Sequence, residues 1–127
     1  MGKSTGAGSL AVWVHKLQSV EFVEYSSAYY TGKAGKIGAG LQGYDLNVAA
    51  KEAGLVFLAG ACASVGTVGG YTQGGGHSPL SNLYGLSADQ VLEWEVVDGR
   101  GNLLVATPES HSGRYFQRYR LPEIAND

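Results

Sequence analysis

One stretch of this chain could contact a ligand through its main chain. It is the loop Cys62-Ala63-Ser64-Val65-Gly66-Thr67-Val68-Gly69-Gly70-Tyr71-Thr72-Gln73-Gly74-Gly75-Gly76-His77. Gly60–Gly76 holds seven glycines in seventeen residues, a density that no helix interior or central strand carries without penalty. Bare amides without Cβ atoms can approach an anionic or planar ligand closely, as in phosphate-binding nests. The competing reading is a long structural turn, and glycine spacing by itself favours that one. No Lys-Ser or Lys-Thr follows the glycines as a P-loop demands, which weakens the reading of an unrelated glycine-loop nucleotide binder. Asp89 and Glu93 stand four apart, but Glu93 falls in an expected strand, so they are not read as an acid/base pair.

The elements around the loop follow from periodicity. Leu10–Leu17 and Val20–Tyr25 alternate as strands, and the segment after Tyr25 supplies a hairpin tip before a short strand at Ala34–Ala39. Gln42–Ala53 carries a broad apolar stripe at helical spacing, with Gly54 placed as a C′ glycine. Leu55–Ala59 is an unbroken apolar run, expected to be a strand buried on both faces. A short helix is expected over Ser78–Tyr84, then a hairpin from Val91–Val97 and Leu103–Thr107 around an Asp98–Asn102 turn. The pattern is α+β. From Pro108 onward Arg114, Arg118 and Arg120 interleave with Tyr115, Phe116 and Tyr119 without a period, as in a tail.

Composition narrows the classes. The chain has 127 residues, 44% hydrophobic and 16% charged, enough for one domain with a core. Its 20 glycines are about twice ordinary usage, roughly 7%. A net charge of −2 without a basic stripe argues against nucleic acid as a partner. No apolar run is long enough to cross a membrane, and the first residues carry neither a signal peptide nor a myristoylation pattern. Cys62 is the single cysteine, so an internal disulfide is excluded and the compartment stays open.

The wording of the loop goes beyond spacing. Gly60-Ala61-Cys62-Ala63-Ser64-Val65-Gly66, then Gly69-Gly70-Tyr71-Thr72-Gln73-Gly74-Gly75-Gly76-His77-Ser78, then Leu83-Tyr84-Gly85-Leu86-Ser87-Ala88-Asp89-Gln90-Val91 resembles the second FAD-binding lobe of the berberine-bridge family. That family belongs to the vanillyl-alcohol-oxidase superfamily with PCMH-type FAD domains, and the similarity is to its fungal members, including 6-hydroxynicotine-oxidase-like enzymes. Ser4–Gly8, Ala11–His15 and Ile37–Gln42 share it, so the resemblance covers residues 2 to about 108 and leaves 109–127 as a divergent tail.

The resemblance implies a partial FAD-binding domain with a mixed or antiparallel sheet and flanking helices. It implies FAD contacts, mostly main-chain, from Cys62, Ala63, Ser64, Val65, Gly66, Gly69, Gly70, Tyr71, Gly74, Gly75, Gly76 and His77, with Tyr84, Gly85 and Asp89 closing that face. Cys62 matches the position that bonds the flavin through sulfur in bicovalent members; the alternative is a buried, inert cysteine. His77 is either a flavin or substrate contact or a structural histidine, and His15 is read as structural. None of His15, His77 or His111 matches the family's flavin-bearing histidine. The first lobe and the substrate domain, with its catalytic tyrosine or carboxylate, have no counterpart here; a frame change, an unspliced intron or a partial gene model would explain both ends. An intact relative would pass a hydride from an alcohol or amine to FAD and electrons to oxygen; a small-molecule substrate belongs to that relative, and no catalytic residue is assigned here. Relatives are often secreted. The alternative from another class is an inactive binding or interaction module without flavin.

Overall fold

The computed structural model describes residues 5–111. The interleaved Arg and aromatic positions from 114 to 120, like Ser4 and most of the expected tail, lie outside the described residues. The order is a short 3-10 turn at Val14–Lys16, β1 (Val20–Ser26), β2 (Thr31–Ile37) and α1 (Gly43–Glu52). A wide helical turn at Thr67–Tyr71 follows, then α2 (Ser81–Tyr84), a 3-10 turn at Ser87–Gln90, β3 (Trp94–Val97) and β4 (Leu103–Ala106). The fold is α+β, as read from the sequence, with two antiparallel hairpins in place of one continuous sheet.

β1 and β2 pair from Val20 with Ile37 to Ser26 with Thr31. The second strand therefore begins three residues before the expected Ala34. The tip is closed by Ser27, whose Oγ accepts the Tyr29 and Tyr30 amides. Tyr29 Oη donates to Leu92 O at 2.9 Å and lies 3.4 Å from Tyr25 Oη; that hydrogen bond and burial push the Tyr25 phenol up to about 12. β3 and β4 pair from Trp94 with Ala106 to Val97 with Leu103. Their turn is organised by Asp98, whose carboxylate accepts the Arg100 and Asn102 amides and the Asn102 side chain. Those donors, Asn102 first, hold the Asp98 carboxyl below its ordinary value. Lys36 Nζ meets Glu95 Oε1 at 2.8 Å, a surface pair joining the two hairpins.

α1 matches the expected helix, with Gln42 and Ala53 as caps and Gly54 at φ +69. Its inner face buries Leu46 and Ala50. Two expectations fail. Leu10–Leu17 is no strand: Val12 and Trp13 are both about 80% exposed, and Val14–Lys16 turns so that Leu17 N–H reaches Val14 O. Gly38 and Gly40 receive that turn, since a Cβ on either would run into the Leu17 or Val14 carbonyl. Leu55–Ala59 is also no strand. Leu58 and Ala59 are buried but Val56 is exposed, and the Leu58 carbonyl is taken by side chains where a neighbouring strand would be needed. The strand expected from Val91 begins only at Trp94, after the Ser87–Gln90 turn.

Candidate functional site

The glycine-rich region divides into two limbs of different character. The first, Cys62–Gly66, is exposed throughout and lies across the start of α1. Gly43 N–H donates to Val65 O at 3.0 Å and Tyr44 N–H to Ala63 O at 2.9 Å, so loop carbonyls satisfy the first amides of the helix. Gln42 pairs with Gly66, and Thr67 donates to Leu41 O through both its amide and its buried hydroxyl. The Val65 amide turns back to Cys62 O at 3.3 Å, and the amides of Cys62, Ala63, Ser64 and Gly66 have no acceptor among the described residues. A Cβ on Gly66, Gly69 or Gly70 would meet open space. Exposed donors on small residues can serve an anionic or carbonyl-bearing ligand. Cys62 is exposed, where the alternative reading expected a buried thiol.

The second limb, Gly74–Ser78, is packed down. Gly75 and Gly76 are buried, and their carbonyls accept the Ala88 and Ser87 amides, each at 3.0 Å. Both glycines have positive φ. Their amino-acid type therefore has a structural cause, as in the turn reading. The Ser87 hydroxyl donates to Leu58 O. Tyr71 is half-buried, and its hydroxyl lies 2.8 Å from His77 O and 3.4 Å from Leu58 O. Gly69 breaks the Thr67–Tyr71 turn at ψ −118, and the buried Thr72 hydroxyl returns to Thr67 O. The His77 imidazole is exposed, with no hydrogen bond to a described residue. His15 stacks on Trp13 at 5.0 Å.

Tyr84, Gly85 and Asp89 make a separate local turn. Gly85 ends α2 at φ +78, and Asp89 Oδ2 accepts the Leu86 amide at 2.9 Å. A Cβ on Gly85 would stand 2.8 Å from that carboxylate oxygen, which gives the glycine a local cause. Tyr84 is exposed, and its carbonyl accepts Gln90 Nε2. Two residues that shape the site, Leu58 and Ser87, were not singled out in the sequence. No local signal marks Ser87, since Ser64 in the similar Ala63-Ser64-Val65 context is exposed.

A shallow recess of about 200 Å³ beside the loop is lined by Val68, Gly69, Gln73, Trp94 and Val96 among others. Dedicated ligand pockets run to roughly 300–1,000 Å³, so this recess falls short of one, and no residue of the Cys62–Gly66 limb lines it.

The family model described as "FAD binding domain" matches residues 2–107. The chain belongs to this FAD-binding family. It is 58% identical over 115 residues to the FAD-linked oxidoreductase patO of Penicillium expansum, covering 91% of this chain and 20% of that protein. To the VAO-type flavoprotein oxidase VAO615 of Thermothelomyces thermophilus it is 51% identical over 117 residues, again covering 91% and 20%. The crystal structure of the VAO-type flavoprotein MtVAO615 from Myceliophthora thermophila C1 superposes with a TM-score of 0.81 at 53% identity, over 85% of this chain and 20% of that one. The chain thus spans a fifth of the length of these relatives. Its fold is that of VAO-type FAD-binding domains, and FAD is the cofactor of its family.

Proposed function

We propose that this chain is the second FAD-binding lobe of a flavin-dependent oxidoreductase, formed by residues 2–108, with 109–127 as a divergent tail. The observation that carries the reading is the exposed Cys62–Gly66 loop, whose Ala63 and Val65 carbonyls face α1 while the amides of Cys62, Ala63, Ser64 and Gly66 stay without acceptors among the described residues. Those amides would hold polar edges of FAD, with Gly69 and Gly70 giving close approach. His77 would present its imidazole to a flavin or substrate polar atom. Cys62 stands exposed where a thioether to the ring would form. Tyr71, Gly74, Gly75, Gly76, Tyr84, Gly85 and Asp89 would support the cradle through their own hydrogen bonds and turns. FAD, when bound, supplies the two-electron acceptor for a hydride from an alcohol or amine and a route for electrons to oxygen. No residue of this chain is assigned to proton abstraction. The exposed Val12, Trp13 and Val56 would bury against further chain of the kind the relatives carry.

The test is titration of the full 127-residue chain with FAD, followed by quenching of flavin fluorescence and by thermal unfolding. Saturable quenching with a rise in melting temperature is expected. Colourless protein that neither quenches nor gains stability would favour the other class, an interaction module without flavin. Mass spectrometry after denaturation of flavin-loaded protein decides the thioether: flavin that leaves rules it out.

A further inference from the structure

The ring of Tyr71 sits between two glycines from different limbs. A Cβ on Gly60 would stand 3.2 Å from one edge carbon, Cε2, and a Cβ on Gly76 would stand 3.0 Å from the other, Cε1. Its hydroxyl lies 2.8 Å from His77 O and 3.4 Å from Leu58 O. Leu58 and Gly60 lead directly into the exposed Cys62–Gly66 loop, and Gly76 leads into His77. One side chain thus touches both approaches to the candidate cradle. Neither limb is stiffened by a strand at this point among the described residues, so their separation is set by side chains.

We propose that Tyr71 is a positioning residue: its ring and hydroxyl fix the spacing between the Cys62–Gly66 amides and His77, and so set the seat for the flavin. This rests on the flavin reading above. Tyr71 is placed there for its internal bonds, because its hydroxyl already faces two carbonyls of its own chain. Tyr71→Phe keeps the wedge between the glycines and removes the bridge. Losing one such bond in the seat corresponds to about a tenfold change in binding.

The experiment compares FAD dissociation constants, from fluorescence quenching, for the full chain, Tyr71→Phe, His77→Ala and the double variant, with circular dichroism melts of each flavin-free protein. The expected result is about a tenfold weaker constant for Tyr71→Phe, with the flavin-free melt still cooperative and lowered only by the few degrees that one hydrogen bond is worth. Because Tyr71 acts partly through His77, the double variant should lose less than the two single losses combined. An unchanged constant in Tyr71→Phe, or fully additive losses, overturns the inference and leaves the flavin reading standing. Loss of the flavin-free fold in Tyr71→Phe also overturns it, by assigning the residue to stability alone. A parent chain that binds no FAD overturns the flavin reading itself, and this inference with it.

Discussion

Gly76→Ala is expected to cost about 2–5 kcal/mol and, where the variant is partly unfolded, to weaken apparent flavin binding in proportion to the folded fraction lost. Two independent effects add. Gly76 lies at φ +74, where an L residue pays roughly 1–2 kcal/mol. The new methyl would also stand 2.5 Å from Ser87 Cβ and 3.0 Å from the Tyr71 ring. Neither neighbour can move aside freely. Ser87 is buried, with its hydroxyl on Leu58 O and its amide on Gly76 O, and Tyr71 is wedged against Gly60 as well. Overpacking of this kind costs typically 1–3 kcal/mol. The urea midpoint measures it, with Gly66→Ala as the comparison, since the added methyl there meets open space and φ is not positive. A Gly76→Ala midpoint no lower than that of Gly66→Ala would contradict the packed description of the second limb.

Leu46→Ala is expected to cost about 2–5 kcal/mol, the range for a buried leucine truncated in a close-packed core. Leu46 is wholly buried, and most of the other buried apolar side chains are small, Ala50, Ala59, Ala88 and Ala106 among them. Stabilities of small domains begin near 5 kcal/mol, so this single change removes a large share. The helix it anchors also carries the first limb, through the Gly43 and Tyr44 amides on Val65 O and Ala63 O. Flavin affinity should therefore fall with stability. Val48→Ala on the same helix is the comparison: 40% of Val48 is exposed, and its truncation should cost well under half as much. Equal midpoints for the two variants would show that α1 does not pack as described.

The parts of the fold visible in the sequence are those whose signals are local. The stripe on α1, Gly54 after it, the Asp98–Asn102 turn and the two hairpins each need only near neighbours, and each was placed to within a few residues. Leu10–Leu17 and Leu55–Ala59 were misread because apolar patterning reports burial and not strand pairing. Val12 and Trp13 have no covering layer among the described residues, and Leu58 finds its partners in the hydroxyls of Tyr71 and Ser87, which no periodicity encodes. The glycine loop was legible as a place of close main-chain approach, and its wording pointed to FAD. Its division was not. Whether a glycine faces open space, as Gly66 does, or makes room for its own chain, as Gly76 does for Ser87 and Tyr71, depends on residues that are not its sequence neighbours.

On the proposed reading, the amides of Cys62, Ala63, Ser64 and Gly66 are held open for a flavin. Amide hydrogen exchange of the full chain, with and without saturating FAD, tests it most directly. Slowed exchange at Ala63, Ser64 and Gly66, with the β1–β2 hairpin unchanged, is the expected result. Protection that leaves this loop untouched, or none anywhere, would contradict it.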